Sequence, residues 1–173
     1  MRNRAIRTNF TIPEEFQVSF EVYLNSKRDG WRNIFALTNT TNNKGNHGDR
    51  IFVLALANEE GNNNTFRFFF SVGDDPTYSY LPSDEIPVQE WMNITAKQAN
   101  FSGTYKLQVF INGSIVHEVQ NPSPNVYEGV IAYASREFER PVDGMIRNLL
   151  ILPGKDQFFS LVYCTYLAHI LII

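Results

Sequence analysis

Residues Tyr105–Gln120 read "YKLQVFINGSIVHEVQ", and this stretch decides the fold class. Leu107, Val109 and Ile111 alternate with Lys106 and Gln108, a period of two that describes a strand with one face on a core. The run is broken by Asn112-Gly113 and resumes at Ile115. Asn-Gly between two apolar runs is the strongest short hairpin signal, because a type I′ turn needs positive φ at both central residues. The stretch therefore predicts two antiparallel strands joined by a tight turn.

The same period recurs upstream and downstream. Phe16, Val18, Phe20, Val22 and Leu24 alternate with Gln17, Ser19, Glu21 and Tyr23. Residues 33–38, 50–57, 65–72, 91–97, 129–134 and 145–152 are further strand segments, separated by loops rich in Gly, Pro, Asn and Asp. The chain holds 14 Phe and 8 Tyr and lacks a helical period before its tail. Eight or more short strands predict an all-β fold, an antiparallel two-sheet sandwich of jelly-roll type with little helix except in the C-terminal tail.

The 173 residues suit one domain. We read residues 1–13 as an N-terminal extension, 14–153 as the sandwich and 154–173 as an apolar tail. A formal net charge of −3 and the lack of a Lys/Arg stripe exclude the usual nucleic-acid footprint. One cysteine, Cys164, cannot form an internal disulfide. Six N-x-[ST] sequons, at Asn9, Asn39, Asn63, Asn93, Asn100 and Asn112, exceed the roughly two that chance would place. They point to a secreted, glycosylated chain, although "MRNRAIRTNF" lacks an apolar signal-peptide core, so the expectation is an extracellular or cell-surface fragment without its leader. Residues 158–173 carry no Asp, Glu, Lys or Arg. Sixteen helical residues rise about 24 Å against a ~30 Å hydrocarbon core. A truncated membrane anchor, a buried terminal helix and translated non-coding sequence are the three readings of this tail.

The ordered segments "FQVSFEVYL", "GWRNIFALT", "GDRIFVLAL", "EWMNITAKQ", "YKLQVFINGSIVHEVQNPSP" and "VIAYASREFERPVDGMIRNLLIL" resemble the concanavalin A-like lectin/glucanase superfamily, nearest to laminin-G-like modules of extracellular animal proteins. The resemblance covers Phe16 to Leu152. It implies a curved jelly roll that binds a glycan or an extracellular protein through rim loops or its concave sheet. A non-enzymatic recognition or adhesion module is the first expectation. A lectin domain is the alternative, and a glycoside hydrolase relative the third.

Retaining glycosidases of this fold carry Glu-x-Asp-x-x-Glu on one strand face, and that pattern is absent. Glu137 and Glu139 come nearest, but Arg136, Arg140 and Pro141 read as a charged loop. The three histidines, His47, His117 and His169, have no ligand spacing for zinc. Relatives often hold Ca²⁺ at a rim, which makes Asp74, Asp75 and Asp49 the candidate ligands and Ca²⁺ the one cofactor implied. Sugar binding needs aromatic platforms and amides, for which Trp31, Tyr78 and Tyr80 with Asn42, Asn43 and Asn46 are the candidates. In "FRFFF" Phe69 breaks the alternation, which implies a strand covered on both sides or an exposed partner patch.

Overall fold

Residues 5–26, 30–40, 45–57, 65–82, 86–134, 140–154 and 170–172 are described by a computed structural model. Its strands are β1 (Ala5–Ile12), β2 (Phe16–Leu24), β3 (Arg32–Thr38), β4 (Phe52–Ala57), β5 (Thr65–Val72), β6 (Asp75–Tyr80) and β7 (Trp91–Phe101). They continue with β8 (Thr104–Ile111), β9 (Ser114–Gln120), β10 (Tyr127–Tyr133), β11 (Arg140–Pro141), β12 (Gly144–Pro153) and β13 (Ile170–Ile172). A seven-stranded sheet runs β1-β10-β3-β4-β5-β6, with β11 alongside β3, and a six-stranded sheet runs β13-β12-β2-β7-β8-β9. Every pairing is antiparallel except the short β11–β3 contact. This is the all-β jelly-roll sandwich that the period of two predicts.

Alternation supplies the core. Phe16, Val18, Phe20, Val22 and Leu24 of β2 are buried while their neighbours are half exposed. From the other sheet, Phe52 stacks against Phe70 at 5.4 Å between ring centroids, and Phe35 meets Phe20 at 4.9 Å. The β8–β9 turn adopts left-handed φ at Asn112 (50°) and Gly113 (81°), as a type I′ hairpin requires. β3 and β4 depart from simple alternation, because both of their faces are buried.

Both ends of the described chain contribute strands. Within the segment read as an N-terminal extension, Ala5–Ile12 pair with β10 as an edge strand whose register shifts around the left-handed Asn9. Mixed burial along β1 hid its period. In the tail, Ile170–Ile172 pair with Gly144–Ile146 as an edge strand, and residues 155–169 lie outside the described set. Among the described residues no helix is long and apolar enough to cross a membrane. Sequence reasoning also missed β6 as a strand, since Asp74-Asp75-Pro76 reads as a turn. The turn is Gly73-Asp74, and Pro76 is tolerated because β6 is an edge strand.

The edges β6 and β9 belong to different sheets and are fastened to each other. Tyr78 and Tyr80 pair with Phe70 and Phe68, so they share the inner face with those buried rings. Tyr80 donates from its hydroxyl to the Val116 carbonyl at 2.8 Å, and its ring stacks on His117 at 4.0 Å. The Tyr78 hydroxyl lies 2.8 Å from His117 Nε2. Burial pushes the Tyr78 phenol up, with a smaller push from Asp75, and burial pushes the His117 imidazole down. A second tie crosses the sandwich nearby: Asn121 Nδ2 donates to Gln98 Oε1 at 2.7 Å, and the Gly73 N–H donates to Asn121 Oδ1 at 2.8 Å.

The β3–β4 rim loop is organised by Asp49, which is fully buried. Its carboxylate accepts from the Asn46 N–H at 2.9 Å and from the Thr40 hydroxyl. Gly48 sits at φ +89°, where an added Cβ would overlap the Asn39 side chain.

Two outcomes follow from these contacts. Asp49→Ala leaves the Asn46 N–H and Thr40 hydroxyl without their acceptor and should cost about 1–3 kcal/mol by urea unfolding. A depressed imidazole pKa means that the unfolded chain takes the proton first. Stability is therefore full above the unfolded value near 6.5 and lost as pH falls toward the folded one. His117→Gln should flatten the decline of the urea midpoint between about pH 7 and pH 5 relative to the wild type.

Candidate functional site

The expected ligand residues that are described stand in different settings. Trp31 lies at the start of β3 on the outer face of the seven-stranded sheet, whereas Tyr78 and Tyr80 face inward at the β6 edge. Asn46 is exposed in the rim loop beyond the opposite end of β3, and Asn42 and Asn43 lie outside the described residues. The candidate metal ligands likewise differ in setting. Asp49 is spent inside its loop, Asp75 accepts from the Thr77 N–H (2.8 Å) and hydroxyl (3.0 Å), and Asp74 is exposed. The rim loop does reach β6, but through Gly45, where a Cβ would stand 3.0 Å from Thr77 Cγ2. Among the described residues no three His, Cys, Asp or Glu side chains cluster to hold a metal ion.

The structure gathers a different set on the outer face around Trp31. The cross-strand row Asn33–Ala55–Arg67 runs over β3, β4 and β5, and Thr65, Arg67 and Phe69 share that face because they are two residues apart. Trp31 is 38 % exposed and packs 5.8 Å from the Phe69 ring. The Arg67 guanidinium lies 5.3 Å from the Trp31 centroid and 5.4 Å from Phe69, and Arg50 covers Phe69 at 4.7 Å. Arg67 also donates to Ser79 Oγ at 3.3 Å. Phe69 is therefore half-buried under cationic side chains, which resolves the two-sided reading of "FRFFF".

Asn33 is the anomaly of this face. It is 0 % exposed, and both its Oδ1 and Nδ2 lack a hydrogen-bond partner. The Thr65 hydroxyl, on the same face two strands away, is also buried without a partner. Leaving a buried polar group unpaired costs about 1–3 kcal/mol, so each such group needs a physical explanation. Sequence reasoning missed Asn33, Thr65, Arg50 and Arg67 as a group. The alternation of Arg67 with the Phe residues was a usable signal for one of them; the juxtaposition with Asn33 comes from cross-strand register.

The outer face of the six-stranded sheet is more evenly polar. Arg147 Nε donates to Glu21 Oε2 at 2.6 Å and its guanidinium covers Trp91 at 3.8 Å, while Asn148 Nδ2 donates to Glu21 Oε1 at 3.0 Å. The hydrogen bond from Arg147, then that from Asn148, holds the Glu21 carboxyl below its ordinary value. Its polar groups satisfy one another. Glu137 and Glu139, the nearest approach to a carboxylate pair, lie outside the described residues.

The sequons divide by setting. Asn9, Asn100 and Asn112 are exposed, and the last two occupy or adjoin hairpin turns, with Asn100 Oδ1 accepting from the Gly103 N–H at 2.7 Å. Asn93 is half-buried in β7 and accepts from the Thr95 hydroxyl at 3.3 Å. Asn39 has its Oδ1 buried without a partner, and Asn63 lies outside the described residues.

No protein-family model matches the chain, and no curated protein matches it in sequence. Solved structures share its fold. The native heptameric SAP-like pentraxin from Limulus polyphemus superposes with a TM-score of 0.55 at 14 % identity, over 86 % of this chain and 67 % of its own. Sheep galectin-11 in complex with glycerol superposes with a TM-score of 0.50 at 12 % identity, over 88 % of this chain and 100 % of its own. The fold is thus that of a concanavalin A-like jelly-roll sandwich, with an aromatic and polar cluster on the outer face of one sheet.

Proposed function

We propose that the chain is a non-enzymatic glycan-binding module that takes sugar on the outer face of the seven-stranded sheet, at Trp31, Asn33, Thr65 and Arg67. The observation that carries this reading is the partly exposed Trp31 ring on the same sheet face as Asn33 and Thr65, whose buried polar atoms have no partner. A sugar offers an apolar face for the indole and hydroxyls for the amide, and such sites combine aromatic walls with a few placed polar groups. The fold shared with a galectin held in complex with glycerol agrees with a polyhydroxylated ligand. Export and recognition at the cell surface, of the kind laminin-G-like modules perform, belong to the same reading. Asn9, Asn100 and Asn112 are then the acceptor sites for N-linked glycans, since their side chains stand at the surface.

A glycan array followed by titration calorimetry tests the proposal. Trp31→Ala should weaken binding of the array's best ligand by roughly tenfold, equivalent to about 1.4 kcal/mol. The melting temperature should change little, because the ring is partly exposed. Unchanged affinity in the Trp31 variant, or no glycan retained by the wild type, overturns it.

A further inference from the structure

The ligand chemistry can be narrowed on the premise that this face binds glycan. We propose that Asn33 reads a pair of adjacent hydroxyls on the terminal unit of a neutral glycan. A carboxamide presents a carbonyl acceptor and an N–H donor side by side. In Asn33 both kinds of atom are buried and unpartnered. An occupant that satisfies both must bring one donor and one acceptor at neighbouring atoms. A vicinal diol does this, with one hydroxyl donating to Oδ1 and the other accepting from Nδ2. A carboxylate or sulfate does not, because it has no proton for Oδ1 and would set its lone pairs against that oxygen. The orphaned acceptor thus selects a neutral ligand although Arg50 and Arg67 stand nearby.

Depth selects the end of the chain. Asn33 is 0 % exposed between its strand partners Ala55 and Pro141, so the group that reaches it must protrude from the body of the ligand. A terminal sugar can project a free hydroxyl pair, whereas an internal unit lying along the sheet meets the Trp31 ring first. The small Ala55 side chain stands between Asn33 and Arg67 in the row, and the Thr65 hydroxyl supplies a further partner for the ring substituents. Arg67, long and flexible, is the side chain that must yield on entry.

The test uses the full chain with methyl glycosides of glucose, galactose and mannose, their 4-deoxy analogues, and a linear β-glucan, titrated by ligand-observed NMR. The wild type should bind at least one methyl glycoside and lose about tenfold with the deoxy form that removes half of its diol. Asn33→Leu, similar in size, should lose at least tenfold for the parent sugar and no longer distinguish the deoxy form. Its melting temperature should rise, because two unpaired polar atoms leave the interior. Thr65→Val should weaken the same ligand by a few-fold and serves as the second variant if Asn33→Leu does not fold. Equal binding by wild type and Asn33→Leu overturns the proposal and assigns the amide to a buried water. Binding of the β-glucan without any methyl glycoside overturns the terminal reading and leaves glycan binding intact. Failure of every sugar to bind removes the glycan reading itself.

Discussion

Phe52 stacks on Phe68 and Phe70 within one sheet and meets Phe20 of the other at 6.3 Å, and this aromatic layer sets the position of nearly everything else. Successive residues of a strand point to opposite faces, so once Phe66, Phe68 and Phe70 are committed to the core, Thr65, Arg67 and Phe69 must face outward. A one-residue slip of β5 would bury Arg67 and expose three phenylalanines. Burying a large apolar side chain is worth roughly 1.5–3 kcal/mol, so the register is held far more strongly than any surface contact would hold it. The candidate site is therefore a by-product of core packing, placed on the back of the strands that bury the most aromatic area.

Most polar groups inside the sandwich follow one rule. Asp49 closes its own loop, Asn121, held by Gln98, ties the two sheets through the Gly73 N–H, and Tyr80 caps the carbonyl of a facing edge strand. Each of these buried or half-buried groups has a partner, as desolvation demands. Asn33 and Thr65 depart from that pattern on the sheet face that also carries Trp31, and Asn39 Oδ1 departs from it in the rim loop.

Tyr78, Tyr80 and His117 show how a plausible ligand platform serves structure instead. Edge strands of two sheets leave unpaired carbonyls and a seam open to water. Here the rings cover the seam, and the Tyr80 hydroxyl satisfies Val116. Aromatic residues two apart on a strand look alike whether they coat the outside of a sheet or seal its margin. The face on which Phe68 and Phe70 lie distinguishes the two cases.

From the sequence by itself the class of fold was legible. The period of two in Phe16–Leu24, the Asn112-Gly113 hairpin and the spacing of turn residues are local properties, and each strand that carries them was found within a few residues. Strands with mixed burial, β1 and β6, were hidden because an edge strand need not alternate cleanly and tolerates Pro76. The donor to Asp49 was also close in sequence, since a carboxylate that follows Gly48 at a strand entrance can turn back to the backbone N–H of Asn46, three residues earlier. Tertiary structure decided which side chains meet. Asn33 and Arg67 are more than thirty residues apart and become neighbours through the pairing of β3 with β4 and β4 with β5. Tyr78 and His117 meet across two different sheets. Such contacts depend on strand order and register, which are chosen by the burial of the whole core and not by the residues that end up touching.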